Sequence, residues 1–144
     1  MLPAFISLVS FTDPIVLARL LGAAFLAILF LQSGLDKVFD WKGNLGWLQG
    51  HFANSPLKSI VKPMLGTVTL IELAAGLLSA AGMIMVVIEG KSTLAFYGAT
   101  LSGLALLMLF FGQRLAKDYA GAATLVSYFI LSLGCMWLQS IPAW

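Results

Sequence analysis

Four long stretches of this chain carry almost no charge. Between Arg19 and Asp36 there is none, between Met64 and Ile88 only Glu72, and the stretches 92–113 and 119–144 have none. A helix that crosses a bilayer needs about 20 largely apolar residues, so each run is long enough to span, and little chain is left for anything else. With 60% apolar and 10% charged residues, against about 25% charged in a soluble domain, there is too little polar surface to cover a water-facing globule. The 144 residues therefore read as one all-α integral membrane domain. Its spans are expected at about 14–38, 64–88, 92–113 and 119–140.

The connections set the order of those spans. Glu89-Gly90-Lys91-Ser92-Thr93 and Arg114-Leu115-Ala116-Lys117-Asp118 are short enough to force antiparallel neighbours. An up-down-up-down four-helix bundle follows, with both termini on one side. Thr12-Asp13-Pro14 reads as the cap and first turn of a retained helix. The first thirteen residues lack Lys and Arg, unlike the basic start of a secretory signal. Lipid supplies no hydrophobic drive between helices, so small residues must let them approach. Thr69, Glu72, Gly76 and Ser79 form such a stripe on the second span, and Gly98, Ser102 and Ala105 form one on the third. Gly121, Thr124, Tyr128, Leu131 and Cys135 do so on the fourth.

The one long connection, about Phe39–Val61, places Trp41, Leu45, Leu48 and Phe52 on one helical face and Gly43, Gly46 and Gly50 beside it. This is the pattern of an amphipathic segment lying in the interface, or of an ordinary loop with a Trp anchor; Asn54-Ser55-Pro56 ends it. Trp41, Trp47 and Tyr119 fall at one membrane face, and Tyr97, Trp137 and Trp144 near the other, as interfacial belts require. Lys37, Lys42, Lys58, Lys62, Arg114 and Lys117 lie on the side of the first and third connections, against Arg19 and Lys91 on the other. The positive-inside rule then puts those two connections in the cytoplasm and the termini outside, which is periplasmic in a bacterium.

Polar residues inside the runs carry what functional signal there is. A carboxylate at a helix centre costs about 2.5–3.5 kcal/mol on insertion scales, so Glu72 needs a partner. The end of the first span offers Gln32, Ser33, Asp36 and Lys37, and either a Lys37 ion pair or a Gln32 hydrogen bond would serve. With His51, the chain's single histidine, the set Gln32, Asp36, Lys37, His51 and Glu72 outlines a small polar pocket. Such a pocket would bind a quinone headgroup or relay protons; alternatively Lys37 and Glu72 are a structural clasp and His51 is interfacial. Asp118 and Tyr119 could join either arrangement.

Several chemistries are excluded. The chain has no G-x-S-x-G, H-E-x-x-H or P-loop motif, and one histidine with one cysteine cannot supply the ligand sets of zinc, haem or iron–sulfur sites. No metal or resident cofactor is expected, leaving a quinone as the ligand in view. The scattered basic residues make no nucleic-acid surface. Cys135 sits in an apolar run with no basic neighbour to activate its thiol.

The segments Gly34-Leu35-Asp36-Lys37-Val38-Phe39 and Leu70-Ile71-Glu72-Leu73-Ala74-Ala75-Gly76, with Gly82, resemble the DoxX family of small four-helix membrane proteins. That family has Gly-x-x-Lys-x-Phe at the end of its first helix and a Glu followed four residues later by Gly in the second. Gly34, Lys37, Phe39, Glu72 and Gly76 match the pattern, and Lys37 and Glu72 are the positions the resemblance marks as functionally sensitive. Asp36 and His51 are not part of it. Relatives often turn through a Thr-Arg pair after the second-helix glycine, whereas here Met83 to Lys91 make a longer, less basic turn. The resemblance implies a prokaryotic inner-membrane protein associated with quinone-linked sulfur oxidation, terminal oxidases or other membrane redox assemblies. The reading is an accessory subunit of a larger, respiratory-type membrane complex, not an enzyme on its own. The alternatives are a quinone-facing oxidoreductase component and, more remotely, a small-solute transporter, for which the chain shows no inverted repeat.

Overall fold

The computed structural model describes residues 12–141; the expectations for residues 1–11 and for Trp144 lie outside them. All regular structure among the described residues is helical: α1 (Pro14–Phe39), α2 (Trp41–His51), α3 (Val61–Glu89), α4 (Thr93–Leu115) and α5 (Tyr119–Ser140), with a 3-10 turn at Lys58–Ile60 before α3. Four of them, α1, α3 with its preceding turn, α4 and α5, are long and apolar enough to cross a membrane.

The helix ends follow from local chemistry. Asp13 caps α1 by accepting from the Ile15 N–H at 2.9 Å, with Pro14 in the first turn, where its missing N–H costs nothing. Asp40 ends α1, donating its N–H to the Asp36 carbonyl at 2.9 Å, and its carboxylate accepts from the Gly43 N–H at 3.3 Å to start α2. Asn44 Nδ2 ties the corner by donating to the Asp40 carbonyl at 2.9 Å. Gly90 ends α3 at φ +69°, the left-handed conformation glycine adopts without strain. The end of α4 needs the same conformation and uses Lys117 at φ 60°. There the Asp118 N–H bonds the Gln113 carbonyl at 2.9 Å and the Lys117 N–H bonds the Arg114 carbonyl at 3.1 Å. Asp118 then caps α5 through the Gly121 N–H at 2.9 Å.

Two spans are longer than the charge pattern suggests. α3 starts at Val61 rather than Met64, because Pro63 in a first turn does not break a helix. α4 runs on to Leu115, past Arg114, because a cation in the last turn complements the helix dipole.

α1 packs on α3, α3 on α4 and α4 on α5, with a lighter contact closing α5 onto α1. Their common core holds Leu26 and Phe30 of α1, Ala75 of α3, Ala99, Ala105 and Leu106 of α4, and Cys135 of α5. The small-residue stripes on α3 and α4 are buried as expected: Thr69, Glu72, Gly76 and Ser79 face inward, as do Gly98, Ser102 and Ala105. A Cβ on Gly82 would strike the Ala95 backbone, and one on Gly98 would lie 2.7 Å from the Ser79 nitrogen. The two helices therefore cross almost backbone to backbone. Two of the buried hydroxyls bond carbonyls of their own preceding turn, Thr69 to Leu65 at 2.6 Å and Ser102 to Gly98 at 2.7 Å, which offsets the cost of carrying them into an apolar core.

The stripe expected on the last span is met in part: Cys135 joins the core and Tyr128 and Leu131 pack against it, but Thr124 turns outward. α5 buries Ala122, Ser132, Cys135 and Gln139, while Thr124 is exposed and Gly121, Tyr128 and Leu131 are half-buried. α5 is the most exposed of the four spans, so its inward strip is narrow and the outer members of the pattern fall beyond it. Its contact with α1 is a polar clasp: Arg19 donates from Nε to the Leu138 carbonyl at 3.0 Å and from Nη2 to the Ile141 carbonyl at 2.5 Å. Gln139 Nε2 returns a bond to the Arg19 carbonyl at 3.0 Å. The outward faces remain apolar, with Leu21, Ile28, Leu70, Leu77, Phe111, Ile130 and Trp137 all more than half exposed. A surface of this kind suits hydrocarbon rather than water.

Candidate functional site

The Gly34 position explains how Lys37 reaches Glu72. A Cβ on Gly34 would overlap the Leu73 side chain, so α1 and α3 touch there, and Lys37, one turn on along α1, is held against α3. Its Nζ lies 3.1 Å from Glu72 Oε2, 2.7 Å from Ser33 Oγ and 3.2 Å from the Ser33 carbonyl. Ser33, four residues before Lys37, is what an α-helix places beneath a lysine. Glu72 has no exposed surface, and its second oxygen, Oε1, is buried without a hydrogen-bond partner. The Lys37 side chain keeps 16% of its surface open.

That surface lines a half-open cleft of about 310 Å³ between α2, α3 and α4. Leu48 and Phe52 close it from α2, Val61, Leu65 and Val68 from α3, and Met108 and Leu109 from α4. Lys37 and Gln113 are the two polar side chains in its lining. Ligand sites are typically apolar clefts of roughly 300–1,000 Å³ with a few placed polar groups, and this one falls at the small end. It has room for a ring-sized head rather than a whole lipid.

α2 is the roof. The expected apolar face forms: Phe52 is buried and Trp41, Leu45 and Leu48 are half-buried, while Gly43, Gly46 and Gly50 face outward. His51 fastens this roof to α4, with Nε2 2.7 Å from Gln113 Oε1 and 3.6 Å from Asp118 Oδ2. Its ring stacks on Trp47 at 4.6 Å between centroids and meets the edge of Phe52 at 5.1 Å. Arg114 lies 4.5 Å over the Tyr119 ring, bracing the neighbouring turn.

The five residues singled out from the sequence are thus divided. Lys37 and Glu72 meet. His51 belongs to the cavity's rim, bonded to Gln113 rather than to the Lys37 pair. Gln32 and Asp36 are exposed on the outer side of α1, where Asp36 accepts from Asn44 Nδ2 at 3.4 Å. The helical period explains the split, since Ser33 and Lys37 share one strip and Gln32 and Asp36 the next. Gln113 was missed as a site residue. It ends an uncharged run, and nothing local shows that α4 finishes beside His51. No group of three or more His, Cys, Asp or Glu side chains among the described residues could hold a metal ion. No protein-family model, no curated protein and no solved structure matches this chain.

Proposed function

We propose that this multi-pass membrane protein is a DoxX-like accessory subunit of a larger prokaryotic inner-membrane complex of respiratory type, and that it holds a quinone head in the cavity beside Lys37. The observation that carries the reading is the cavity itself: an apolar chamber opening among membrane-spanning helices, with one ammonium and one carboxamide in its wall. A quinone is a neutral ring whose carbonyl oxygens accept hydrogen bonds and whose tail stays in hydrocarbon, so that lining complements it. Glu72, behind Lys37, orients the ammonium through their 3.1 Å contact. The helices are read as an up-down-up-down bundle with the α1–α3 and α4–α5 connections cytoplasmic.

A second reading, a purely structural subunit, is favoured by the same ion pair. Lys37 already has three acceptors, and a clasp of that kind fixes α1 against α3 without any ligand. Photo-crosslinking with an azido-quinone in native membranes separates the two. Labelling of the Leu65 and Met108 peptides that is competed by unlabelled quinone and lost in Met108→Trp, which fills the chamber, supports the quinone site. Labelling that ignores Met108→Trp leaves the structural reading. Co-purification in mild detergent then identifies the complex, and a chain that purifies alone from native membranes defeats the subunit assignment.

A further inference from the structure

At the end of the molecule away from Lys37, the α3–α4 turn, the start of α1 and the end of α5 surround a second cleft of about 370 Å³. We propose that it binds the head of an anionic phospholipid whose headgroup carries hydroxyls, of the phosphatidylglycerol type.

Charge argues for an anion. Among the described residues, Arg19 and Lys91 line the cleft and no acidic side chain does. Arg19 is 3% exposed, and among the described residues no carboxylate pairs with it. Glu89 is 3.7 Å from Lys91, but both side chains are largely in solvent, and such pairs neutralise little. The N-terminus of α4 opens into the same space. Ser92, its N-cap residue, makes no side-chain cap, and its hydroxyl oxygen is buried with no partner among the described residues. An uncapped helix start with a spare hydroxyl is a ready place for phosphate oxygens.

Gln139 argues for a ligand that also donates. Only 4% exposed and part of the cleft wall, it spends its amide N–H on the Arg19 carbonyl, while its Oε1 has no partner. A buried acceptor left open costs about 1–3 kcal/mol, and a headgroup hydroxyl satisfies it. A choline head has no donor. An ethanolamine head has one, but its zwitterion leaves the two cations uncompensated.

Position argues for a lipid. Tyr97 lines the cleft, and it and Trp137 on α5 are more than half exposed at this end, where interfacial aromatics mark the headgroup level. Phe96 in the lining gives the first acyl carbons an apolar wall.

The test uses delipidated protein in maltoside micelles, with phosphatidylglycerol, phosphatidylethanolamine, phosphatidylcholine or free glycerol 3-phosphate added. Native mass spectrometry and the thermal midpoint are the readouts. One phosphatidylglycerol per chain should be retained, in preference to phosphatidylcholine or phosphatidylethanolamine, and should raise the midpoint. Lys91→Ala should cut that preference roughly fivefold, the worth of one basic group near an anionic surface. Ser92→Ala should cut it further, with the lipid-free midpoint unchanged in both. Equal retention of all three lipids, or a preference untouched by both variants, overturns the site. A midpoint shift reproduced by free glycerol 3-phosphate shows a soluble-anion site and overturns the lipid assignment.

Discussion

Lys37 Nζ and Glu72 Oε2 stand 3.1 Å apart across α1 and α3, and Glu72 has no solvent-exposed surface. Apart from the Arg19–Gln139 clasp at the far end, the buried side chains around the pair are apolar or small hydroxyls. The energetic character of the contact is that of a buried ion pair: breaking it strands a charge, whereas removing it altogether need not be costly.

Lys37→Met and Glu72→Gln should therefore each destabilise the protein in detergent by about 3 kcal/mol. The double variant should recover part of that loss. A double-mutant cycle on thermal midpoints measures the coupling, expected at about 1–3 kcal/mol, and simple additivity would show that the two side chains do not depend on one another.

The glycines divide sharply by what surrounds them. Gly82→Ala and Gly98→Ala push a methyl into the backbone of the facing helix, and should each cost about 1–3 kcal/mol as overpacking does. Gly134→Ala meets nothing within 4 Å and should be neutral, or stabilise by up to about 1 kcal/mol through helix propensity. Chemical denaturation in a fixed micelle system checks the ordering.

The two left-handed helix ends make opposite predictions. Lys117→Gly relieves a side chain held at φ 60° and should raise stability by about 1 kcal/mol; Gly90→Ala imposes the same strain at φ +69° and should lower it by a similar amount. Matched thermal melts of the two variants decide it.

For topology, cysteine is placed at the exposed positions Asn54 and Lys91 in a Cys135→Ser background. A membrane-impermeant maleimide added to intact cells should label the Lys91 variant and spare the Asn54 variant. The reverse pattern would invert the orientation derived from the basic residues, and equal labelling would remove the antiparallel arrangement.

The spans were legible because a bilayer imposes one length and one composition, and the four charge-poor runs have little other use. The Lys37–Glu72 contact was legible for a related reason: Glu72 had to find a partner, and the end of α1 supplied the nearest polar strip. Which of the polar residues there would turn inward was not, because Gln32, Ser33, Asp36 and Lys37 straddle two strips and only the seat of Gly34 on Leu73 selects one. His51 illustrates a harder limit. Its partner Gln113 is 62 residues away, and the pairing depends on where α4 stops, which a left-handed Lys117 decides. Arg19 entered the sequence reading only as the boundary of an uncharged run and a basic residue on the terminal side, yet it is buried on carbonyls at the end of α5, a destination set by helix neighbours rather than by local sequence.

Asp40 belongs to two helices at once. Its N–H completes the last hydrogen bond of α1, and its carbonyl accepts the Asn44 N–H, the first backbone bond of α2, at 3.0 Å. A Cβ on Gly43 would collide with its carboxylate, so the corner leaves little slack. Mechanically, the roof of the cavity and the stalk that carries Lys37 meet at this one corner. Asn44 braces that corner twice, its Nδ2 donating to the Asp40 carbonyl at 2.9 Å and to the Asp36 carboxylate at 3.4 Å. The roof and the lysine that meets Glu72 therefore hang from a single, tightly braced corner of the chain.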